Sequence, residues 1–593
     1  MVSSASSGVR FVRLVSIQLI LSGRYFIITC LFGQALPLMR LEMVKSLCYT
    51  WNISEETAVG YGRHTERLSG AAKPGNRNPA GTDGAAGLPL SQAVFPVGLL
   101  PLGTGNRGLP SASAGGGEVM RGTNVEERVA RDALFGSLPI LSNERLYGFV
   151  DALLLLSGYC IATWSYTQGA YLATLVGFRQ LLLGAFFGAI FMLCIYQLPV
   201  ILSVRYGIDI WVWLRAVFGG RGVMVMTVII ILINYPWYAV CADLFASSMV
   251  RLAGLLGLSL PGGFHPLLGL ACVLLGTALA LRGPRAMTKV TRILVPLLLA
   301  VGVLVVIVGF RSVPFQVIWD YRPVERAGDP TAYLLSIEAN FAFVITLVGG
   351  MAGVPRLVRS ERAGFWAGVL GQGAAGSFFV VVGAVMAIAM GHVTGQMVED
   401  PTLMLATLAA PAMALCSLLL VAFANIGTQA VGGYLYGVML KSAFRTASYR
   451  AILLVLALYA CILVLWGGVV EYFGSFLTLS ACIYAPLAAL LFADFFVVRR
   501  QHLALRSAFG LPGYQAYHYT GGFNLIGLAC VAAGVALSLA VYDPVSGTVR
   551  CAALFTLTPT GLSFLGTGVL YVVLSWLPPV RRYLLQDRKE VTV

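Results

Sequence analysis

From Tyr147 onward the chain is a succession of apolar segments, each close to the ~20 residues that an α-helix needs to cross a bilayer. They run approximately over 147–171, 181–203, 222–249, 263–281, 291–310, 332–354, 363–391, 411–439, 450–470, 474–497, 522–542 and 560–579. No other feature limits the fold so strongly. In lipid, every backbone N–H and C=O has to be satisfied within the protein, and a single long apolar segment does so as a helix. The expectation is an all-α polytopic membrane protein with twelve transmembrane helices. The connections test that count. One set of alternate loops and ends carries twenty basic residues, among them Arg205, Arg215, Arg285, Arg356, Lys441, Arg499 and Arg581, whereas the other set carries six. By the positive-inside rule both termini are expected in the cytoplasm, and adding or removing one span would scramble the alternation.

Composition then excludes other classes. Of the 593 residues 58% are hydrophobic and 11% charged, with a mean hydropathy of +0.83. The charged share is about half that of an ordinary soluble domain. The net charge of +15 is dispersed through loops, so it marks topology and not a nucleic-acid partner. The eleven cysteines are scattered, mostly in apolar runs, with no CxxC pair. They read as small buried apolar residues, not as a disulfide framework or a zinc site. No phosphate-cradling GxxxxGK, no HExxH and no placeable triad is present, so no enzyme and no cofactor is expected. The expected partners are a small-molecule substrate and the lipid bilayer of the plasma membrane. Nothing indicates an obligate protein partner.

The N-terminal region is of another kind. Residues 70–119 hold twelve glycines with many Ala, Pro and Ser and no apolar period. Such a stretch buries too little surface to offset its chain entropy. Residues 25–39, between Arg24 and Arg40, have the length of a signal-peptide h-region, but the basic alternation argues against export of this tail. Residues 1–146 are therefore expected as a disordered cytoplasmic tail, with 1–119 dispensable or Met120 the true start. A transporter domain over 147–580 and a cytoplasmic tail over 581–593 complete the division.

Several spans are not plain apolar helices. The first contains SGYCIATW (157–164), with Gly158 in mid-span, and the sixth contains LVGGMAGVP (347–355). Glycines serve close packing in many membrane helices. Two interrupted helices in equivalent places of spans 1–5 and 6–10 instead point to an inverted repeat with a binding site near mid-membrane. The third span contains INYPWYAV (233–240). Asn234 and Trp237 are three apart and are expected to share one helix face, so an amide edge and an indole face would suit a flat heterocycle. The bland alternative is an interhelical bond for Asn234 and core filling for Trp237. The eighth span, FANIGTQAVGGYLYG (423–437), places Asn425, Thr428 and Gln429 at a depth where polar groups pair or line a pathway. Asp243 and Glu338 stand in apolar stretches without a basic neighbour in sequence. An intramembrane acid costs at least about 2.5–3.5 kcal/mol and is a functional candidate by default.

With these stretches in hand, the chain resembles the nucleobase:cation symporters of the cytosine, uracil, thiamine and allantoin permease group, from about Tyr147 to Arg500. YGIDIWVWLRAVFGGRG (206–222) is similar to the family's loop after span two, at Gly207, Arg215, Phe218, Gly219 and Gly222. FLTLSACIYAPLAALLFADFFVVRR (476–500) is close to its tenth span, with Asp494 in the acidic place. AGVPRLVRS (352–360) resembles the stretch after helix six, with Gly353 where the family has Asp. The resemblance implies a five-plus-five inverted repeat, leucine-transporter-like, plus two extra helices. It also implies uptake of a nucleobase-like ring by symport with a proton or sodium ion through alternating access.

Residue by residue, it puts Asn234 on the family's substrate-binding glutamine and Trp237 on its stacking tryptophan. Phe343, Val344 and Thr346 fall in the helix-six part of the substrate site, and Asn425 and Gln429 in the helix-eight part. The cation site would draw on Gly158 and Ile161 of helix one with Ala424 and Thr428 of helix eight, but Gly427 stands where the family has a hydroxyl. That loss, together with Asp243 and Glu338, favours proton coupling. An amino-acid or thiamine-type carrier of the same inverted-repeat fold is the alternative.

Overall fold

The computed structural model describes Leu134, Phe135 and residues 138–586, apart from Ala162, Ala327, 348–352, 470–471 and Pro512. The first 133 residues, including the glycine-rich stretch and the apolar run at 25–39, lie outside the described residues, as do Gly349 and Gly350 of the sixth span.

Each expected span coincides with a helix or a broken helix. In chain order these are α1 (Phe149–Cys160), α2 (Thr163–Leu175), α3 (Phe178–Tyr196), α4 (Gly220–Asn234), α5 (Trp237–Leu255), α6 (Phe264–Leu281), α7 (Pro284–Ser312), α8 (Pro330–Thr346), α9 (Glu361–Thr394), α10 (Pro411–Ala443), α11 (Tyr449–Trp466), α12 (Gly474–Val498), α13 (Leu525–Val541) and α14 (Pro559–Trp576). Among the described residues nine helices, α4 and α5 taken as one, are long and apolar enough to cross a membrane, and α1 with α2 makes a tenth, bent by 56°. The sixth and eleventh expected spans, α8 and α13, are each 17 residues long, short of that measure.

Helix starts follow local chemistry. Asp329, Ser360, Ser448, Asn524 and Thr558 each accept a first-turn N–H through the side chain, and Pro284, Pro330, Pro411 and Pro559 sit in the first turn, where an N–H is not needed. Where α2 crosses α9 the backbones touch. A Cβ on Gly169 would lie 1.8 Å from Val380 O, and one on Gly383 would lie 2.1 Å from Tyr166 O, so only glycine fits either place.

The loops sort to two ends. At the basic end Arg205 pairs with Glu361 at 2.9 Å and bonds Gln501, Arg215 donates to Ser442 O and Ala508 O, and Arg499 donates to Leu584 O. At the opposite end Arg179 pairs with Asp320, and Arg251 reaches Asp400 at 2.7 Å. The loops that the sequence groups by charge therefore meet one another in space. Residues 138–146, which the apolar pattern assigns to the tail, are docked on the basic end. Ile140 N donates to Gly207 O, Tyr147 bridges Val358, and the Phe135 ring packs on Tyr449 with centroids 4.2 Å apart. Docking of this kind leaves no signature in hydropathy, because a short strap of mixed residues has no helical period.

Candidate functional site

Two helix interruptions build the centre, and each is explained by where its freed carbonyls go. Between α1 and α2, Cys160 O accepts from Trp164 Nε1 (3.2 Å) and Ser165 Oγ (2.7 Å), while Gly158 O accepts from Thr428 Oγ1 of α10 at 3.2 Å. At Cys160 O side chains thus stand in for a helical N–H donor. Between α4 and α5 stands Pro236, which has no N–H to give to Leu232 O four residues back. That carbonyl accepts from Tyr459 Oη of α11 at 2.8 Å, and Ile233 O accepts from Ser480 Oγ of α12 at 3.3 Å.

The second interruption separates the two residues that an unbroken helix would place on one face. Asn234 ends α4, and its Nδ2 donates to Tyr436 Oη of α10, leaving Oδ1 buried without a partner. Trp237 opens α5 and is boxed by rings from three other helices. Trp164 of α2 lies 5.3 Å away and Phe343 of α8 6.3 Å away, both edge-on, and Phe476 of α12 lies 5.0 Å away, tilted. The box therefore joins both halves of the expected repeat around one indole that is 5% exposed.

The helix-eight residues divide by direction. Asn425 Oδ1 accepts from Thr163 Oγ1 at 2.7 Å, just past the break in helix one, so Asn425 and Thr428 straddle that break. Gln429 points elsewhere: a Cβ on Gly276 of α6 would lie 2.4 Å from its Cγ. Gly427 faces Leu294 of α7, whose Cδ2 would be 3.2 Å from an added Cβ. Gly158 packs on Thr291 of α7, Ile161 closes α1 by donating to Ser157 O at 2.7 Å, and Ala424 is buried among apolar residues of α7 and α9. In α8, Val344 is buried and Thr346 turns its hydroxyl back onto Phe343 O at 2.7 Å.

The two acids have partners outside the ring box. Asp243 faces His265 of α6 at 3.9 Å, and its side chain is 28% exposed. Its basic neighbour comes from another span, which is why the linear sequence concealed it. Glu338 is buried and caps α14, accepting from Thr560 N at 3.0 Å and Thr560 Oγ1 at 2.6 Å. A helix-end N–H and a hydroxyl, both of Thr560, stabilise that carboxylate in place of a base.

Sequence reasoning did not single out Trp164, Gln168, Tyr436, Phe476 or Tyr484. A signal existed for the last two, since Phe476, Ser480 and Tyr484 recur every four residues along α12 and all face α4, α5 or Tyr436.

Comparison with solved structures places this arrangement. Mhp1, a nucleobase-cation-symport-1 family transporter, in a closed conformation with bromovinylhydantoin bound, superposes with a TM-score of 0.61 at 20% identity, over 76% of this chain and 96% of that one. Its inward-facing conformation matches at 0.61 and 19%, over 76% and 93%. A Na+-coupled sialic acid symporter in a substrate-bound outward-open state matches at 0.53 and 11%, over 78% and 97%. The chain shares the fold of these transporters. A search of curated proteins finds no match. Residues 139–560 match the family of permeases for cytosine/purines, uracil, thiamine and allantoin, and the chain belongs to that family.

Proposed function

We propose that this permease imports a nucleobase or related planar nitrogen heterocycle together with a cation, by alternating access across the plasma membrane, with twelve crossings and both termini in the cytoplasm. The observation that carries the substrate reading is the box of Trp164, Phe343 and Phe476 around Trp237. Stacking a base on such a ring contributes about 1–3 kcal/mol, and the rings come from helices of both halves, so relative motion of the halves opens or closes the box. Asn234 stands at the break beside the box, three residues before Trp237, and its buried Oδ1, which accepts no hydrogen bond, reads the edge of the ring. Val344 and Thr346 line the same turn of α8 as Phe343.

For the cation, Gly158 O and Thr428 Oγ1 offer hard oxygens at the break in helix one, with the carbonyls of Ile161 and Ala424 nearby in sequence. These suit sodium. A second reading is supported by Gly427, which faces an apolar Leu294 and contributes no side-chain oxygen. In that reading a proton is carried, through Asp243 or Glu338. The test is uptake at fixed membrane potential while sodium and external pH are varied separately. Uptake that saturates with sodium and ignores pH discards the proton. Uptake that follows pH without sodium discards the site at Thr428.

A further inference from the structure

We propose that Gln168 of α2 reads the hydrogen-bonding edge of the bound ring and sets which heterocycles are accepted. The inference rests on the transport reading above and adds a residue to it. Gln168 is fully buried, and its amide is half used. Nε2 donates to Ala339 O of α8 at 3.2 Å, while Oε1 is buried and accepts no hydrogen bond. A buried amide oxygen left unpaired is costly and calls for a partner.

Its direction follows from the helix period. Trp164, Gln168 and Tyr171 share one face of α2, at i, i+4 and i+7. The first of these meets Trp237 at 5.3 Å. The third reaches α12, where its ring atoms would lie 3.6 Å from a Cβ on Gly474. Gln168 therefore stands on the same face between the ring box and the end of the bundle opposite the basic loops. On the other side, Ala339 is one turn from Phe343, which also faces Trp237. An amide fixed to α8 through one N–H, with its buried carbonyl unpaired one turn along α2 from Trp164 of the box, complements a ring N–H. The chemistry selected is a lactam or amidine edge, N–H beside an acceptor, as in the unsubstituted bases. A ring methylated at that nitrogen has no donor to give.

The experiment measures inhibition of labelled-base uptake by uracil, cytosine and hypoxanthine, each beside its ring N-methyl derivatives. Wild type, Gln168→Leu and Gln168→Asn are compared at matched membrane delivery. In the wild type at least one N-methyl derivative is expected to bind about 10-fold or more weakly than its parent. In Gln168→Leu that ratio falls towards one, because the parent loses its advantage, and Gln168→Asn retains part of it. A changed maximal rate with the ratio intact would make Gln168 only a tie between α2 and α8, and overturns the inference while sparing the transport reading. Failure of every parent base to compete in the wild type sinks both. Trp237→Phe, which keeps part of the uptake, separates the two further, since a smaller stacking ring weakens parent and methylated rings alike.

Discussion

Replacing Gly432 with alanine should disable the transporter although it adds one methyl group. A Cβ at Gly432 in α10 would lie 1.8 Å from Tyr238 Cε1 and 2.0 Å from its Cζ and Oη. Ordinary contact needs roughly 3.4–4 Å, so the ring has to retreat by well over an ångström. It has nowhere to go. Tyr235 lies 4.7 Å away, Tyr436 5.6 Å and Trp164 6.3 Å, centroid to centroid. Overpacking of this kind costs about 1–3 kcal/mol. Disturbing three ring contacts at about 0.5–1.5 kcal/mol each brings a similar sum. Because Trp164 is one wall of the Trp237 box and Tyr436 holds Asn234, the shift passes directly into the site. The adjacent Gly433 is the control, since its Cβ would meet Ala280 Cβ at an unstrained 3.4 Å. The assay is thermal unfolding of the purified protein together with saturable uptake. Gly432→Ala should lower both, with uptake down about 10-fold or more for a loss of ~1.4 kcal/mol, and Gly433→Ala should change neither. Adding Tyr238→Leu to Gly432→Ala should recover part of the unfolding temperature, a coupling expected between touching residues. Wild-type behaviour of Gly432→Ala, or equal damage from both alanines, would refute the packing described around Tyr238.

Three further outcomes are expected. Thr428→Val removes the hydroxyl that meets Gly158 O and should raise the half-saturating concentration of the coupling cation about 10-fold, on the scale of a buried group left unpaired, while exchange of internal for external substrate persists; an unchanged cation dependence would exclude the site. Glu338→Leu leaves Thr560 N and Oγ1 without an acceptor and should destabilise by about 1–3 kcal/mol, whereas Glu338→Gln keeps an acceptor and should fold normally, so that any loss of concentrative uptake in it reports proton carriage; thermal unfolding and uptake of the two variants check this. A chain beginning at Met120 retains Phe135 and Ile140 and should reach the membrane and transport as the full chain does, whereas one beginning at Phe149 loses the docked strap and should be less stable in detergent; equal stability of the two would assign the strap no structural role.

Much of the fold was legible because lipid leaves the backbone few options. A segment that cannot bond to water bonds to itself, so apolar length predicted a helix at every expected span. The charge pattern of the loops predicted which of them meet. The interior of the site was less legible. Pro236 was visible as a helix breaker, yet its consequence, that Asn234 and Trp237 face different helices, depends on Tyr459, Ser480 and Tyr436 accepting or donating from spans far along the chain. Asp243 and Glu338 looked unpartnered because periodicity describes one helix at a time, whereas His265 and Thr560 lie on others. The residue types of the box were in the sequence, Trp164 and Phe476 within the stretches that drew attention. Their convergence on one indole is a property of helix crossing, set by contacts such as Gly169 on Val380 that no local pattern encodes.

The central claim is that a flat nitrogen heterocycle stacks on Trp237 during uptake, and the most direct measurement is saturable entry of labelled cytosine, uracil, adenine, hypoxanthine, allantoin and thiamine into cells that lack their own permeases. With the wild-type protein at least one of these should accumulate. With Trp237→Ala at equal membrane abundance that uptake should vanish, and with Trp237→Phe it should persist in part, since a smaller ring still stacks. Wild-type uptake by Trp237→Ala, or accumulation of none of the six compounds by the wild type, would contradict the account.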